Sequence, residues 1–151
     1  MDIDFLLLQR MKRGDENAFN VFVRKYYKEI LNYCKAYEQT IQNVGGIDYL
    51  LLGLGRAGNI GINIAGSSMN SNTRLVLLDQ QSRKEAINTF GSLEQVPPSA
   101  VTMGISTIMR AREIALIAWG EDKAKSIKDV VEGPVSESVP ASCLQAHPNT
   151  T

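Results

Sequence analysis

Tyr49-Leu50-Leu51-Leu52 runs directly into Gly53-Leu54-Gly55-Arg56-Ala57-Gly58-Asn59-Ile60-Gly61-Ile62-Asn63-Ile64-Ala65-Gly66-Ser67-Ser68. An apolar strand that empties into a loop this rich in glycine is how open α/β sheets build a ligand site at their strand ends. Between Gly53 and Ser68 there is no Asp, Glu, His, Cys or Lys, so the loop offers no general acid, general base or metal ligand. The stretch predicts the scaffold of a site without its chemistry.

Downstream of this loop, strands and helices alternate. Ile47–Leu54 reads as a buried strand and Thr73-Arg74-Leu75-Val76-Leu77-Leu78 as a second. Ser82 to Phe90 has the composition of a short helix, Pro97-Pro98 marks a break, and Ala100–Met103 a short strand. Ser106–Ala111 is a helical turn, Glu113–Trp119 the clearest strand, and Gly120 closes it. Glu121-Asp122-Lys123 opens a helix to about Val131, with acids where the helix dipole favours them. Gly133 to Thr151 contains Pro134, Pro140 and Pro148 and reads mostly as loop. Such alternation predicts an α/β fold with a mainly parallel sheet.

Upstream of Gly45-Gly46 the pattern is helical. A short helix runs from Ile3 to about Met11, ended by Lys12-Arg13-Gly14. Asp15 then serves as N-cap of a longer one, along which Phe19, Phe22, Val23, Tyr26, Ile30, Tyr33 and Tyr37 recur at helical spacing. An aromatic stripe of this kind is read as packing rather than ligand stacking.

The 151 residues, 44% of them hydrophobic, suffice for one ordinary core. Lys plus Arg equals Asp plus Glu at 16 each, so no overall charge points to nucleic acid or to a membrane surface. No apolar run is long enough to cross a bilayer, and Met1-Asp2-Ile3-Asp4 is acidic where a secretory signal would be basic. Cys34 and Cys143 have no metal-ligand spacing, so reduced thiols, no metal, no cofactor and a cytoplasmic location are expected.

From about Tyr37 onward, the chain resembles the glucosamine-6-phosphate deaminase/isomerase family. The likeness rests on Gly45-Gly46-Ile47-Asp48, Gly53-Leu54-Gly55, Gly58-Asn59-Ile60-Gly61, Gly66-Ser67-Ser68, Thr73-Arg74, Val101-Thr102-Met103-Gly104, Gly120-Glu121-Asp122-Lys123-Ala124, Val131-Glu132-Gly133 and Ser142-Cys143-Leu144-Gln145. The resemblance covers the C-terminal half of that family's domain, and the family's last strand is cut off after Thr151. It implies a partial Rossmann-like, mainly parallel sheet preceded by two N-terminal helices. It also implies conversion of glucosamine 6-phosphate to fructose 6-phosphate and ammonia.

That chemistry needs a base for a carbon-bound proton and an acid–base group for the ring oxygen. The family's carbon base and phosphate loop lie in the half without a counterpart here. Aligned through Gly55, Gly58 and Asn63, its Asp, His and Glu fall on Ala57, Asn59 and Ile64. Asn does not shuttle protons near neutral pH, and Ala and Ile cannot orient such a group. The phosphate-gripping Arg falls near Asn88, whereas Lys123 matches a phosphate-contacting Lys. Lys123, Gly58, Asn59 and Asn63 are the candidate sugar-phosphate residues, and no catalytic residue is assigned. His147 matches a terminal His of the family and is expected to face solvent or to pack rather than to act. Ser67 and Ser68 are expected to satisfy loop backbone rather than a sugar hydroxyl.

Leu8 to Phe19, Val23-Arg24-Lys25-Tyr26-Tyr27 and Leu31-Asn32-Tyr33-Cys34 resemble the opening helices of an extracytoplasmic-function RNA polymerase sigma factor. The two resemblances together imply a fusion near Lys35–Tyr37, with a sigma-like helical segment over 1–36 and a truncated sugar-phosphate deaminase-like domain over 37–151. Two N-terminal helices would then cover sheet surface left open. The leading expectation is a catalytically inactive, weak sugar-phosphate binder. Behind it stands a subunit that completes its sheet by assembling with itself or another chain. RNA polymerase is disfavoured as a partner, since the family's main contact helices and DNA-reading helix-turn-helix are absent. No direct nucleic-acid contact is expected.

Overall fold

The computed structural model describes residues 3–151, the side chain of Ile3 excepted. The chain divides into two compact units, one of residues up to Cys34 with Leu75–Val101, the other of Lys35–Arg74 with Thr102–Thr151.

The first unit opens with α1 (Ile3–Lys12) and the start of α2 (Glu16–Asn43). Gly14, at φ +81°, lets the chain reverse between them, and the Asp15 N–H donates to the Arg10 carbonyl at 3.1 Å. Asp15 then caps α2 as expected, its Oδ1 accepting from the Ala18 N–H at 3.0 Å, while its other oxygen pairs with Arg10. Phe22 stacks on Tyr26 at a centroid distance of 4.6 Å, so part of the aromatic stripe is packing; Tyr27 and Tyr33 remain exposed. The rest of this unit carries α3 (Gln80–Phe90), most of β2 (Arg74–Leu77) and most of β3 (Ser99–Thr102), which pair with each other.

The second unit contains β1 (Tyr49–Gly53), α4 (Ile105–Ile108), β4 (Glu113–Ile117) and α5 (Ala124–Val131). β1 and β4 pair in parallel from Tyr49 opposite Glu113 to Gly53 opposite Ile117, the arrangement that strand–helix alternation predicts. Leu52 of β1, Leu54 just beyond its end and Ile114 of β4 pack in one core with Ile60, Ile105 and Ile108. These last four isoleucines are at most 1% exposed.

The structure corrects the sequence reading in two places. The strand at 47–54 is not buried on both sides: Tyr49 and Leu51 stand 56% and 61% exposed, because only one face of the β1–β4 pair meets the core. β2 is likewise half-buried rather than enclosed. Through Lys35–Tyr37 α2 runs unbroken to Asn43, and Gly46, at φ +99°, ends it with an N–H to the Ile41 carbonyl at 2.8 Å. The segment after Gly133 lies mostly outside helix and strand, as its prolines predict. It forms a 3-10 turn over Pro140–Ala146 and then lays Asn149–Thr151 along β4, with Ile114 N–H donating to Asn149 and Leu116 N–H to Thr151.

No helix among the described residues is long and apolar enough to cross a membrane. Cys143 is buried, which pushes its thiol up to about 11. Alkylation near neutral pH, followed by peptide-resolved mass spectrometry, should therefore label Cys143 only under unfolding conditions.

Candidate functional site

The carboxyl ends of β1 and β4 open side by side, as parallel pairing requires, and an open cleft of ≈ 350 Å³ lies across them. Gly53, Leu54 and Arg56 form one wall; Ile117, Ala118, Trp119, Gly120, Asp122 and Lys123 form the other. Open α/β sheets place ligands at such a crevice.

The glycine-rich loop is a tight turn followed by a return strand. The Gly55 N–H donates to the Asn59 carbonyl at 2.8 Å, and the Gly58 N–H to the Gly55 carbonyl at 3.1 Å. A Cβ on Gly55 would fall 1.9 Å from Asn59 Oδ1, so glycine here leaves room for the Asn59 amide against the turn. Leu54 and Ile60 then pair antiparallel, bringing Ile60 into the core.

Behind the turn sits a polar knot around Asn63, which is fully buried. Its Nδ2 donates to the carbonyls of Ile60 at 3.0 Å and Met103 at 2.9 Å. Its Oδ1 accepts from Arg74 Nη1 at 2.9 Å, and Arg74 Nη2 reaches Ser67 Oγ at 3.2 Å. Burial pulls the Arg74 guanidinium below its ordinary value, though an arginine remains charged.

A second knot forms around Glu38, near the end of α2. Its Oε1 accepts from the Thr73 N–H at 2.8 Å, from Thr73 Oγ1 at 2.6 Å and from Thr107 Oγ1 at 2.5 Å. Its Oε2 pairs with Arg110 at 2.7 Å. Burial alone would raise the Glu38 carboxyl, but the Thr107 and Thr73 hydrogen bonds, with the Arg110 charge, outweigh it and hold the group below its ordinary value. Together the two knots pin both ends of the Gly66–Thr73 segment.

Of the four sequence candidates, Lys123 is the one among the residues that line the cleft. Lys123 lines the cleft, half-buried and without an ion pair among the described residues. Asn59 instead folds back on its own loop, Nδ2 donating to the Gly61 carbonyl at 3.3 Å. Gly58 is buried against Val139, and Asn63 spends every polar atom inside the knot. Of the positions that would carry the acid–base set, Ala57 is exposed and Ile64 half-buried, while Asn88 is exposed on α3. Ser68 Oγ accepts from the Asn70 N–H, as expected of a loop serine, whereas Ser67 serves Arg74.

Of the two expectations for His147 the structure shows packing: it is 8% exposed, with both ring nitrogens hydrogen-bonded. Nε2 donates to the Ala111 carbonyl at 2.8 Å, leaving Nδ1 to accept from the Asn149 N–H and the Thr150 hydroxyl. Its role is structural. No group of His, Cys, Asp and Glu suited to a metal ion occurs among the described residues.

One cleft residue escapes sequence reasoning. Arg56, inside the loop, pairs through Nε with Asp122 Oδ2 at 2.8 Å across the cleft, and its carbonyl accepts from Ser126 Oγ. The only sequence signal for it is that it is the one charged residue between Gly53 and Ser68.

The family model for glucosamine-6-phosphate isomerases/6-phosphogluconolactonase matches residues 4–151. A glucosamine-6-phosphate deaminase-like protein of Bacteroides thetaiotaomicron is 56% identical over 95% of the chain, which spans 22% of that protein. The glucosamine-6-phosphate deaminase of Oceanobacillus iheyensis is 38% identical over 92% of the chain and 63% of its own length. Among solved structures, a monomeric glucosamine-6-phosphate deaminase matches with a TM-score of 0.76 and 42% identity, over 78% of this chain and 49% of that one. A 6-phosphogluconolactonase from Trypanosoma cruzi, at TM-score 0.56 and 22% identity, shares the fold. The chain thus spans well under the full length of the relatives it matches. Because the family match begins at residue 4, the front of the chain lies inside it, and the sigma-factor likeness of residues 1–35 finds no support.

Proposed function

Because the chain belongs to the family of glucosamine-6-phosphate isomerases and 6-phosphogluconolactonases, we propose that its cleft holds a sugar phosphate without converting it. One observation carries this reading. The cleft at the strand ends presents Lys123 and Arg56, two cations suited to a phosphate, beside a loop with no group that titrates near neutral pH. A deaminase must move a proton between adjacent carbons and open a ring, and each step needs a positioned acid or base. Ala57, Asn59 and Ile64 occupy the positions at which the family resemblance expects that set. Ligand grip and proton transfer are therefore separable here, with the first retained and the second absent. A cytoplasmic location suits a phosphorylated sugar as ligand.

Titration of the protein with glucosamine 6-phosphate by calorimetry tests this. Binding is expected, and Lys123→Ala should weaken it by about tenfold or more, the scale of one charge-assisted hydrogen bond. Unchanged affinity in Lys123→Ala would remove the cleft from consideration.

A second reading, sheet completion by self-association, has its own observation. One face of the β1–β4 pair is bare: Leu51 is 61% exposed, Ile117 42% and Trp119 76%. Parallel sheets are normally covered on both faces, and an apolar patch of this kind marks a contact surface. Sedimentation velocity decides it: a concentration-dependent dimer favours this reading, a strict monomer rejects it.

A further inference from the structure

Resting on that sugar-phosphate reading, we infer that the Arg56–Asp122 pair is an electrostatic latch on the cleft, which an entering phosphate monoester must open. The two residues come from opposite walls, Arg56 from the loop after β1 and Asp122 from the turn after β4, and they meet at 2.8 Å. Lys123, the adjoining cation, has no such partner among the described residues. One cation of the cleft is thus available and the other is occupied.

The backbone on both sides is built to hold this arrangement. Ser126 Oγ donates to the Arg56 carbonyl, which anchors the arginine's backbone to α5 while leaving the guanidinium to swing. On the facing wall Gly120 takes φ +92°, and a Cβ there would stand 2.7 Å from Asp122 Oδ1. The left-handed glycine makes room for the carboxylate to turn back into the cleft. Both side chains of the pair are about half exposed, at 60% and 47%, so the pair is readily exchanged for a stronger partner. A phosphate dianion is that partner, since guanidinium binds phosphate through paired donors.

Opening the latch has two consequences. Arg56 joins Lys123 on the anion, and Asp122 is left facing a like charge. Asp122 therefore sets the affinity downward, and it acts through Arg56 as a positioning residue. Neutral and monoanionic sugars, which cannot displace the carboxylate, are kept out.

The test is calorimetric titration of the full chain with inorganic phosphate and with glucosamine 6-phosphate, at low and at moderate salt. Asp122→Asn should tighten both by about three- to tenfold at low salt, the scale of one unit charge a few ångströms away in water. Arg56→Gln should weaken both, and Arg56→Lys should restore part of the loss. In the double variant Arg56→Gln/Asp122→Asn the tightening should largely vanish, because the two changes share one interaction. If the pair merely ties the loop to the turn, Asp122→Asn and Arg56→Gln will lower the melting temperature equally and neither will tighten binding; that result overturns the latch. A wild-type chain that binds neither anion overturns the sugar-phosphate reading instead. Wild-type binding lost in Lys123→Ala but unmoved by Asp122→Asn leaves that reading standing and removes the latch alone.

Discussion

Replacing Asn63 with Ala lowers the free energy of unfolding by about 3 kcal/mol, the cost of stranding several buried polar groups at once. The side chain donates to two carbonyls from different parts of the chain and accepts from Arg74. Asn63 and Ile60 are both 0% exposed, so the Ile60 carbonyl in particular is left without an amide partner away from bulk solvent. Without the amide, Arg74 keeps only Ser67 among the partners it has now. The expected drop in melting temperature is about 6–12 °C for a chain of this size, read by Trp119 fluorescence or circular dichroism. Asn63→Asp is a sharper probe. It keeps the acceptor for Arg74 but replaces the donor with a carboxylate oxygen facing two carbonyls, so it should cost as much as Ala or more. A loss below about 1 kcal/mol for either variant, the scale of one ordinary hydrogen bond, would show that the knot is not what fixes the loop.

Glu38→Ala is expected to cost about as much, and the pH dependence separates the two sites. The Glu38 side chain is 15% exposed and accepts from Thr73 twice, from Thr107 and from Arg110. Removing it leaves the buried Thr107 hydroxyl and the Thr73 N–H without their acceptor, a loss of about 2–4 kcal/mol. Glu38→Gln keeps one acceptor oxygen and should lose less, about 1–2 kcal/mol. The folded carboxyl lies below its ordinary value of 4.5. Its charged form therefore contributes stability that is fully present above the unfolded value and disappears as pH falls through the lowered folded one. The stability gap between wild type and Glu38→Gln should accordingly be constant at neutral pH and close in acid, below 4.5. Urea melts across that range check it, and a gap independent of pH would contradict the assignment.

Much of the local structure was legible because short-range rules govern it. Gly14 and Asp15 announce the end of one helix and the capped start of the next, and the structure places both there. The parallel β1–β4 pair follows from apolar runs separated by helical sequence. Asp79-Gln80-Gln81-Ser82 carried a cap that composition alone understated: Asp79 Oδ1 accepts from the Ser82 N–H at 2.7 Å, and α3 begins before Ser82. The 3-10 turn over Pro140–Ala146 has no hydrophobic period to reveal it.

What the sequence could not show is long-range. Glu38 meets Thr73 and Thr107 across 35 and 69 residues, and Asn63 meets Met103 across 40. No spacing rule connects such positions. The same holds for the cleft. Lys123 was visible through a family likeness, but its neighbour Arg56 gains meaning only when Asp122 faces it. Asn63 carried the right residue type for a ligand yet turns inward, since an amide beside buried carbonyls is claimed by the backbone first, and Asn59 spends its amide on the Gly61 carbonyl of its own loop.

The most direct test of binding without turnover is one phosphorus and proton NMR experiment, with excess glucosamine 6-phosphate added to the full chain and followed overnight. The sugar-phosphate resonance should shift or broaden on mixing, and no fructose 6-phosphate signal should grow. Steady growth of fructose 6-phosphate with matching ammonia, abolished in Lys123→Ala, would contradict the proposed loss of chemistry. A phosphorus signal unmoved by the protein would contradict the proposed grip.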